Sequence, residues 1–323
     1  MRDSQALAEF RDLAPGEESF REAVLAGLGG RQKSIPCRFL YDDRGSALFE
    51  AICETPEYYP TRTETAILET YAGEIAALAG PDCQLVEFGS GASRKVRALL
   101  RALENPAAYV ALDISREQLR AAADALAADF PDLPIVALCA DYMRPLDLGP
   151  LPEARGRRVG FFPGSTIGNF TAPEAVQFLA GARHVVGSDG AMLVGVDLRK
   201  DPTVLRAAYN DAQGVTAAFS LNLLERMNRE LGADFLLDRF AHDADYNETA
   251  GRVEISIRSR ADQIVTVAGR AIRFAAGERI HTEISCKYTI DGFHRLAARA
   301  GFRPVQTWTD PAQLFSVHYL AAS

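Results

Sequence analysis

The sequence predicts an α/β fold, a parallel sheet covered by helices on both faces, together with a smaller α+β accessory lobe. Three observations carry this expectation. Short apolar runs alternate with amphipathic helical stretches from residue 84 to residue 197, and strands that apolar are buried on both faces, as in a parallel sheet. The chain has 323 residues, 48% hydrophobic and 24% charged, enough for one large core or a core plus a lobe. Two stretches, 1–60 and 200–285, break the alternating rhythm.

In chain order, residues 1–60 read as mostly helical with irregular breaks. A helix follows over 61–80, where Thr61 and Glu64 fit a capping box and Ile67, Leu68, Tyr71, Ile75 and Leu78 recur at helical spacing. Gly80-Pro81 ends it. The spacing then predicts a strand over 84–88, a helix over 93–103 and a strand over 107–114. Ser115 and Gln118 can cap the next helix. Strands follow over 135–140 and 158–162, a helix from Thr171 and Glu174 to about His184, and a strand over 191–197. Helices over 203–209 and 215–231 precede strand-like runs at 252–258 and 263–267. From Ile290 the core resumes with a helix over 293–300 and closing strands over 302–309 and 314–321. The expected division is a core of 61–199 and 286–323 and a lobe of 1–60 and 200–285.

Composition excludes several function classes. A net charge of −8 with no Lys/Arg run disfavours a nucleic-acid backbone as partner. No run of about 18 apolar residues is present to span a membrane. The opening Met1-Arg2-Asp3-Ser4 leads into a charged stretch without a signal-peptide core, so the expected location is the cytoplasm. Five scattered cysteines and five dispersed histidines form no ligand spacing, so no metal site is expected. The protein is expected to act as a monomer on a small molecule.

The segment Val86-Glu87-Phe88-Gly89-Ser90-Gly91-Ala92-Ser93 lies where the first core strand meets its helix. Gly89 and Gly91 let the backbone approach a ligand, and the helix start offers unpaired N–H groups. Arg94 occupies the third glycine position of the dinucleotide fingerprint, which disfavours a pyrophosphate-binding dehydrogenase. The next strand ends at Asp113, whose carboxylate can accept both ribose hydroxyls, and the third at Asp141-Tyr142, a carboxylate and a ring suited to adenine. Each acid alone would read as a helix cap. Together they describe a nucleoside site without phosphates, which suits S-adenosylmethionine. The C-terminal helix and strand pair suit a Rossmann-like class I methyltransferase core with an antiparallel C-terminal strand.

Five further motifs are distinctive: Phe39-Leu40-Tyr41-Asp42-Asp43-Arg44-Gly45-Ser46, Pro56-Glu57-Tyr58-Tyr59-Pro60-Thr61-Arg62, Gly164-Ser165-Thr166-Ile167-Gly168-Asn169, Gly214-Val215-Thr216-Ala217-Ala218-Phe219 and Thr282-Glu283-Ile284-Ser285-Cys286-Lys287. With the glycine turn, and in this order, they make the chain resemble the histidine-specific Nα-methyltransferases of ergothioneine biosynthesis, from about residue 33 onwards. The resemblance implies trimethylation of the α-amino group of L-histidine to hercynine. It assigns Tyr41, Gly89, Lys95, Asp113, Asp141 and Tyr142 to the methyl donor, and Tyr58, Asn169, Tyr209, Glu283 and Ser285 to the amino acid. It implies that the Asn and Tyr positions hold the α-amino and α-carboxyl groups while Glu283 and Ser285 bond the imidazole. Ile255, where some relatives carry methionine, would line the imidazole pocket, and Tyr142 stands where some carry phenylalanine.

The chemistry is compatible with these residue types. Methyl transfer is an in-line displacement, and alignment can supply roughly 7–11 kcal/mol in favourable cases. The amine must be neutral to attack, and a free α-amino group titrates near pH 8. Asn169 and Tyr41 are the expected aiming groups, and no general base is nominated. Glu283 and Ser285 are two residues apart, so on a strand they share a face. A carboxylate and a hydroxyl together can engage both imidazole nitrogens. Two other readings stay open from the sequence alone: a methyltransferase acting on another amino acid such as tryptophan, and a non-catalytic S-adenosylmethionine-binding protein.

Overall fold

The computed structural model describes residues 9–13, 19–91 and 94–323. The opening tetrapeptide, Ala92, Ser93 and the side chain of Arg94 lie outside the described residues, so the readings placed on them are not addressed by it. In chain order the elements begin with β1 (Glu9–Asp12), α1 (Phe20–Gly29), α2 (Asp43–Cys53) and α3 (Tyr59–Ala79). Then come β2 (Gln84–Phe88), α4 (Arg94–Ala102), β3 (Ala108–Asp113), α5 (Arg116–Asp129), β4 (Ile135–Cys139), β5 (Arg158–Phe162), α6 (Ala172–Val186) and β6 (Ala191–Asp197). The remainder is α7 (Pro202–Ala208), α8 (Val215–Leu231), β7 (Phe240–Asn247), β8 (Arg252–Ser259), β9 (Gln263–Val267), β10 (Arg270–Phe274), β11 (Arg279–Cys286), α9 (Ile290–Arg299), β12 (Phe302–Thr309) and β13 (Phe315–Ala322).

The chain forms two compact units, the second made of residues 17–61 and 199–287 and the first of the rest. The first holds an eight-stranded sheet in the order β1-β4-β3-β2-β5-β6-β13-β12. From β1 to β6 all neighbours are parallel; β13 runs antiparallel between β6 and β12. Side chains alternate between faces along each strand. Leu85 therefore joins a core with Leu68, Leu99 and Leu119 from α3, α4 and α5. Val86 joins another, with Phe178 and Leu179 from α6 and Phe293 from α9. Helices on both faces thus bury the apolar strands, and the α/β class predicted from the sequence is the class observed. The strand order reverses between β2 and β5, and in open α/β sheets ligands bind outside the carboxyl ends of strands at such a switch point.

Several local expectations are corrected. The sequence assigns residues 1–60 to the accessory lobe, yet β1 pairs in parallel with β4 at the edge of the large sheet. Its run Glu-Phe-Arg-Asp has too few apolar residues to register as a strand. Helix α3 begins at Tyr59, before Thr61, and Glu64 is fully buried rather than capping the helix. Ser115 stands at the N-cap of α5 without a side-chain capping bond. Helix α9 starts a turn earlier than expected because Thr289 Oγ1 accepts the Gly292 N–H at 3.1 Å.

The second unit pairs β7, β8 and β11 in an antiparallel sheet of order β11-β8-β7, with β9 and β10 as a separate hairpin. Helix α8 presents Phe219, Leu223, Leu224 and Met227 as its buried face. Strands β7 and β10 carry no alternating signal, since β7 is mostly half-buried along its length and β10 mostly exposed. No helix among the described residues is long and apolar enough to cross a membrane.

Candidate active site

At the switch point of the first unit, β2 ends in a turn with Gly89 at φ +75° and Gly91 at φ +41°, conformations that L side chains resist. The Gly89 N–H donates to the Leu112 carbonyl at 2.7 Å, so the turn is pinned to β3. Asp113 closes β3: its Oδ2 accepts the Gly91 N–H at 3.3 Å and its Oδ1 the Ser115 N–H at 2.9 Å. Burial raises the Asp113 carboxyl above its ordinary range, and these N–H bonds oppose the rise. Asp141, just past β4, accepts the Met143 N–H at 2.9 Å. The Tyr142 ring packs edge-on against Phe88, Phe162 and Phe178, and its hydroxyl would sit 3.6 Å from a Cβ added at Gly89. The structure therefore brings Gly89, Gly91, Asp113 and Tyr142 to one end of the sheet, with Asp141 beside them. Carboxylates, an aromatic face and a bare backbone turn fit an adenosine-bearing donor.

Two carboxyl groups there escaped the sequence reading. Glu87, buried on β2, takes a hydrogen bond from the Tyr109 hydroxyl, and burial pushes its carboxyl up to about 8. Glu64 accepts the Gly164 N–H with both oxygens, at 2.8 and 3.0 Å, and pairs with the Lys95 ammonium. Only the lack of a side chain at Gly195 makes room: an added Cβ would overlap Glu64 Oε1 and lie 2.9 Å from Cδ. Gly195→Ala is expected to lower unfolding free energy by about 1–3 kcal/mol, measured by urea denaturation; wild-type stability would show that the carboxylate has room to spare.

After β5 the chain turns through Gly164 at φ +78° and Ser165 at φ +55°. The left-handed Ser165 is held because its Oγ accepts the Asp197 N–H at 2.9 Å. A short 3₁₀ turn, Thr166–Asn169, follows and carries half-buried Asn169, which belongs to this first unit.

Those gather in the second unit. Asp42 caps α2 through the Gly45 N–H at 2.8 Å and is gripped by Asn222 at 2.7 Å, which fixes Tyr41 just before it. The Tyr41 ring lies edge-on to Phe49 at 5.5 Å and Phe219 at 5.4 Å. Asp211 accepts the Val215 and Thr216 N–H groups at 2.8 and 2.7 Å, which anchors the start of α8 and so presents Phe219. Tyr58 packs edge-on to Phe49 at 6.2 Å and Tyr209 at 6.1 Å. Burial pushes its hydroxyl well above the usual range, and Tyr209, Cys53, Tyr41 and Glu283 are near enough to add to it. The same carboxylate acts on Cys37, whose thiol burial raises to about 12.

On β11, Glu283 and Ser285 share a face, with Ile255 of β8 opposite Glu283. Tyr209 Oη and Ser285 Oγ lie 2.8 Å apart. Lys287, which the sequence presents only as a continuation of the polar face, is 2% exposed and donates to both hydroxyls at 2.8 Å. His242 steadies Tyr209 from behind, its Nε2 2.8 Å from the Tyr209 carbonyl. Tyr41, Tyr58, Tyr209, Glu283 and Ser285 thus form one cluster, while Gly89, Gly91, Lys95, Asp113, Asp141, Tyr142 and Asn169 belong to the first unit.

Residues 20–322 match the family described as "Histidine-specific methyltransferase, SAM-dependent". The chain is 43% identical over 317 residues to the histidine N-alpha-methyltransferase of Mycolicibacterium smegmatis, covering 97% of this chain and 98% of that protein. It is 39% identical to the protein of the same name from Mycobacterium tuberculosis, covering 95% and 96%. The ergothioneine biosynthesis protein 1 of Neurospora crassa is 35% identical over 90% of this chain, which spans 33% of that longer protein. The chain belongs to the histidine-specific, S-adenosylmethionine-dependent methyltransferase family.

Proposed function

We propose that this enzyme transfers methyl groups from S-adenosylmethionine to the α-amino group of L-histidine three times, giving hercynine, the first step towards ergothioneine. The observation that carries the reading is the Glu283/Ser285 pair on one face of β11, beside Tyr58 and Tyr209. A carboxylate and a hydroxyl so placed complement an imidazole, which offers two nitrogens; an indole offers one donor and no acceptor. The first unit serves as the donor-binding core and the second as the amino-acid-binding lobe. The enzyme works as a cytoplasmic monomer.

The donor supplies an electrophilic methyl on a sulfonium, which loses its charge as the nitrogen gains one. Asp113 would accept the ribose hydroxyls, Asp141 and Tyr142 would hold the adenine, and Lys95 would meet the methionine end. Catalysis rests on alignment, so Asn169 and Tyr41 aim the neutral amine and no strong base is required. Successive turnovers need the mono- and dimethylamines to keep that aim with fewer N–H groups to bond. A time course with histidine and the donor, followed by mass spectrometry, should end in the trimethyl product. Accumulation of monomethylhistidine as the end product would sink the trimethylation reading.

A further inference from the structure

We propose that Glu64 is a positioning residue for methyl transfer, its carboxylate setting both Lys95 on the donor side and the segment leading to Asn169 on the amino-acid side. The proposal rests on the reading of the first unit as the donor site. Glu64 is fully buried on α3, far in sequence from both partners. Its Oε2 pairs with the Lys95 ammonium, in the first turn of the helix that follows the glycine turn. Both of its oxygens also receive the Gly164 N–H, at the start of the segment that runs through left-handed Ser165 to Asn169. Lys95 Nζ would lie 3.7 Å from a Cβ added at Gly164, so ammonium, carboxylate and turn form one compact cluster. The cluster stands beyond the carboxyl ends of β2 and β5, where the strand order reverses.

A structural reason alone does not account for this arrangement. A buried ionised pair contributes little to stability relative to apolar side chains of the same size, and Gly195 sacrifices a side chain in a central strand to admit it. What the pair does supply is orientation. A lysine on a helix surface samples many rotamers, and holding one of them before the ligand arrives removes part of the ordering cost of binding. The bonds to Gly164 likewise hold the turn from which Asn169 is presented.

The test compares Glu64→Gln, Lys95→Met, the double variant and Glu64→Ala, with S-adenosylmethionine affinity measured by titration calorimetry. Glutamine keeps the volume and an oxygen for the Gly164 N–H but loses the charge that holds Lys95, so donor Kd should rise roughly tenfold. The double variant should bind the donor no more weakly than Lys95→Met alone, because Glu64 acts through Lys95. Glu64→Ala also releases Gly164, and should add a roughly tenfold fall in kcat at saturating donor relative to Glu64→Gln. Losses that simply multiply in the double variant, or donor binding in Glu64→Gln as tight as in the wild type, would overturn the proposal. Failure of the wild-type protein to bind S-adenosylmethionine would instead overturn the donor-site reading. Glu64→Gln is nearly isosteric, and its melting temperature checks that it folds.

Discussion

Replacing Glu283 with alanine should lower kcat/KM for histidine by roughly 10- to 150-fold, the range set by losing one hydrogen bond to a charged group, about 1.5–3 kcal/mol. The loss arises because an imidazole N–H would be left facing Ile255 and the aromatic rings around Tyr58 instead of a carboxylate. Donor affinity should stay within about twofold, since Glu283 belongs to the second unit and Asp113, Asp141 and Tyr142 to the first. Steady-state kinetics with histidine and calorimetry with the donor separate the two. An equal fall in both would show that Glu283 holds the fold and does not read the substrate.

Asp113→Ala should weaken S-adenosylmethionine binding at least roughly 100-fold, because one carboxylate would accept two ribose hydroxyls. It would also free the Gly91 and Ser115 N–H groups that now end on it. The pH dependence has a definite sign. Burial raises the Asp113 carboxyl, so protonation begins at a higher pH than for an ordinary aspartate. Protonation removes acceptor capacity, so donor affinity should fall as the pH is lowered through that raised value, and the fall should vanish in Asp113→Ala. A calorimetric titration at several pH values gives both results. Wild-type affinity in the variant would remove Asp113 from the donor site.

The parts of the fold legible in the sequence are those where burial is two-sided. β2, β3, β4 and β6 are almost wholly buried, so they appear as unbroken apolar runs. β1 and β7 are held by backbone pairing to a neighbour and keep charged or polar side chains in solvent, so no periodicity marks them. Gly89, Gly91, Asp113 and Asp141 can be picked out because strand ends and glycine turns are local signals. Glu64 could not: its spacing from Thr61 is that of a capping box, and only tertiary structure reveals Gly164, Lys95 and the room left by Gly195. Lys287 was hidden in a similar way, since a lysine on an alternating strand normally reaches solvent. The resemblance supplied Tyr58 and Tyr209, which by pattern alone are indistinguishable from packing aromatics.

The most direct test of histidine specificity is to incubate the purified protein with S-adenosylmethionine and an equimolar pool of the twenty amino acids, then identify the methylated product by mass spectrometry. Trimethylated histidine is expected as the main product, with tryptophan and the other aromatic amino acids left unmodified. Preferential methylation of a different amino acid would contradict the roles given to Glu283 and Ser285 while leaving the donor site and the fold intact.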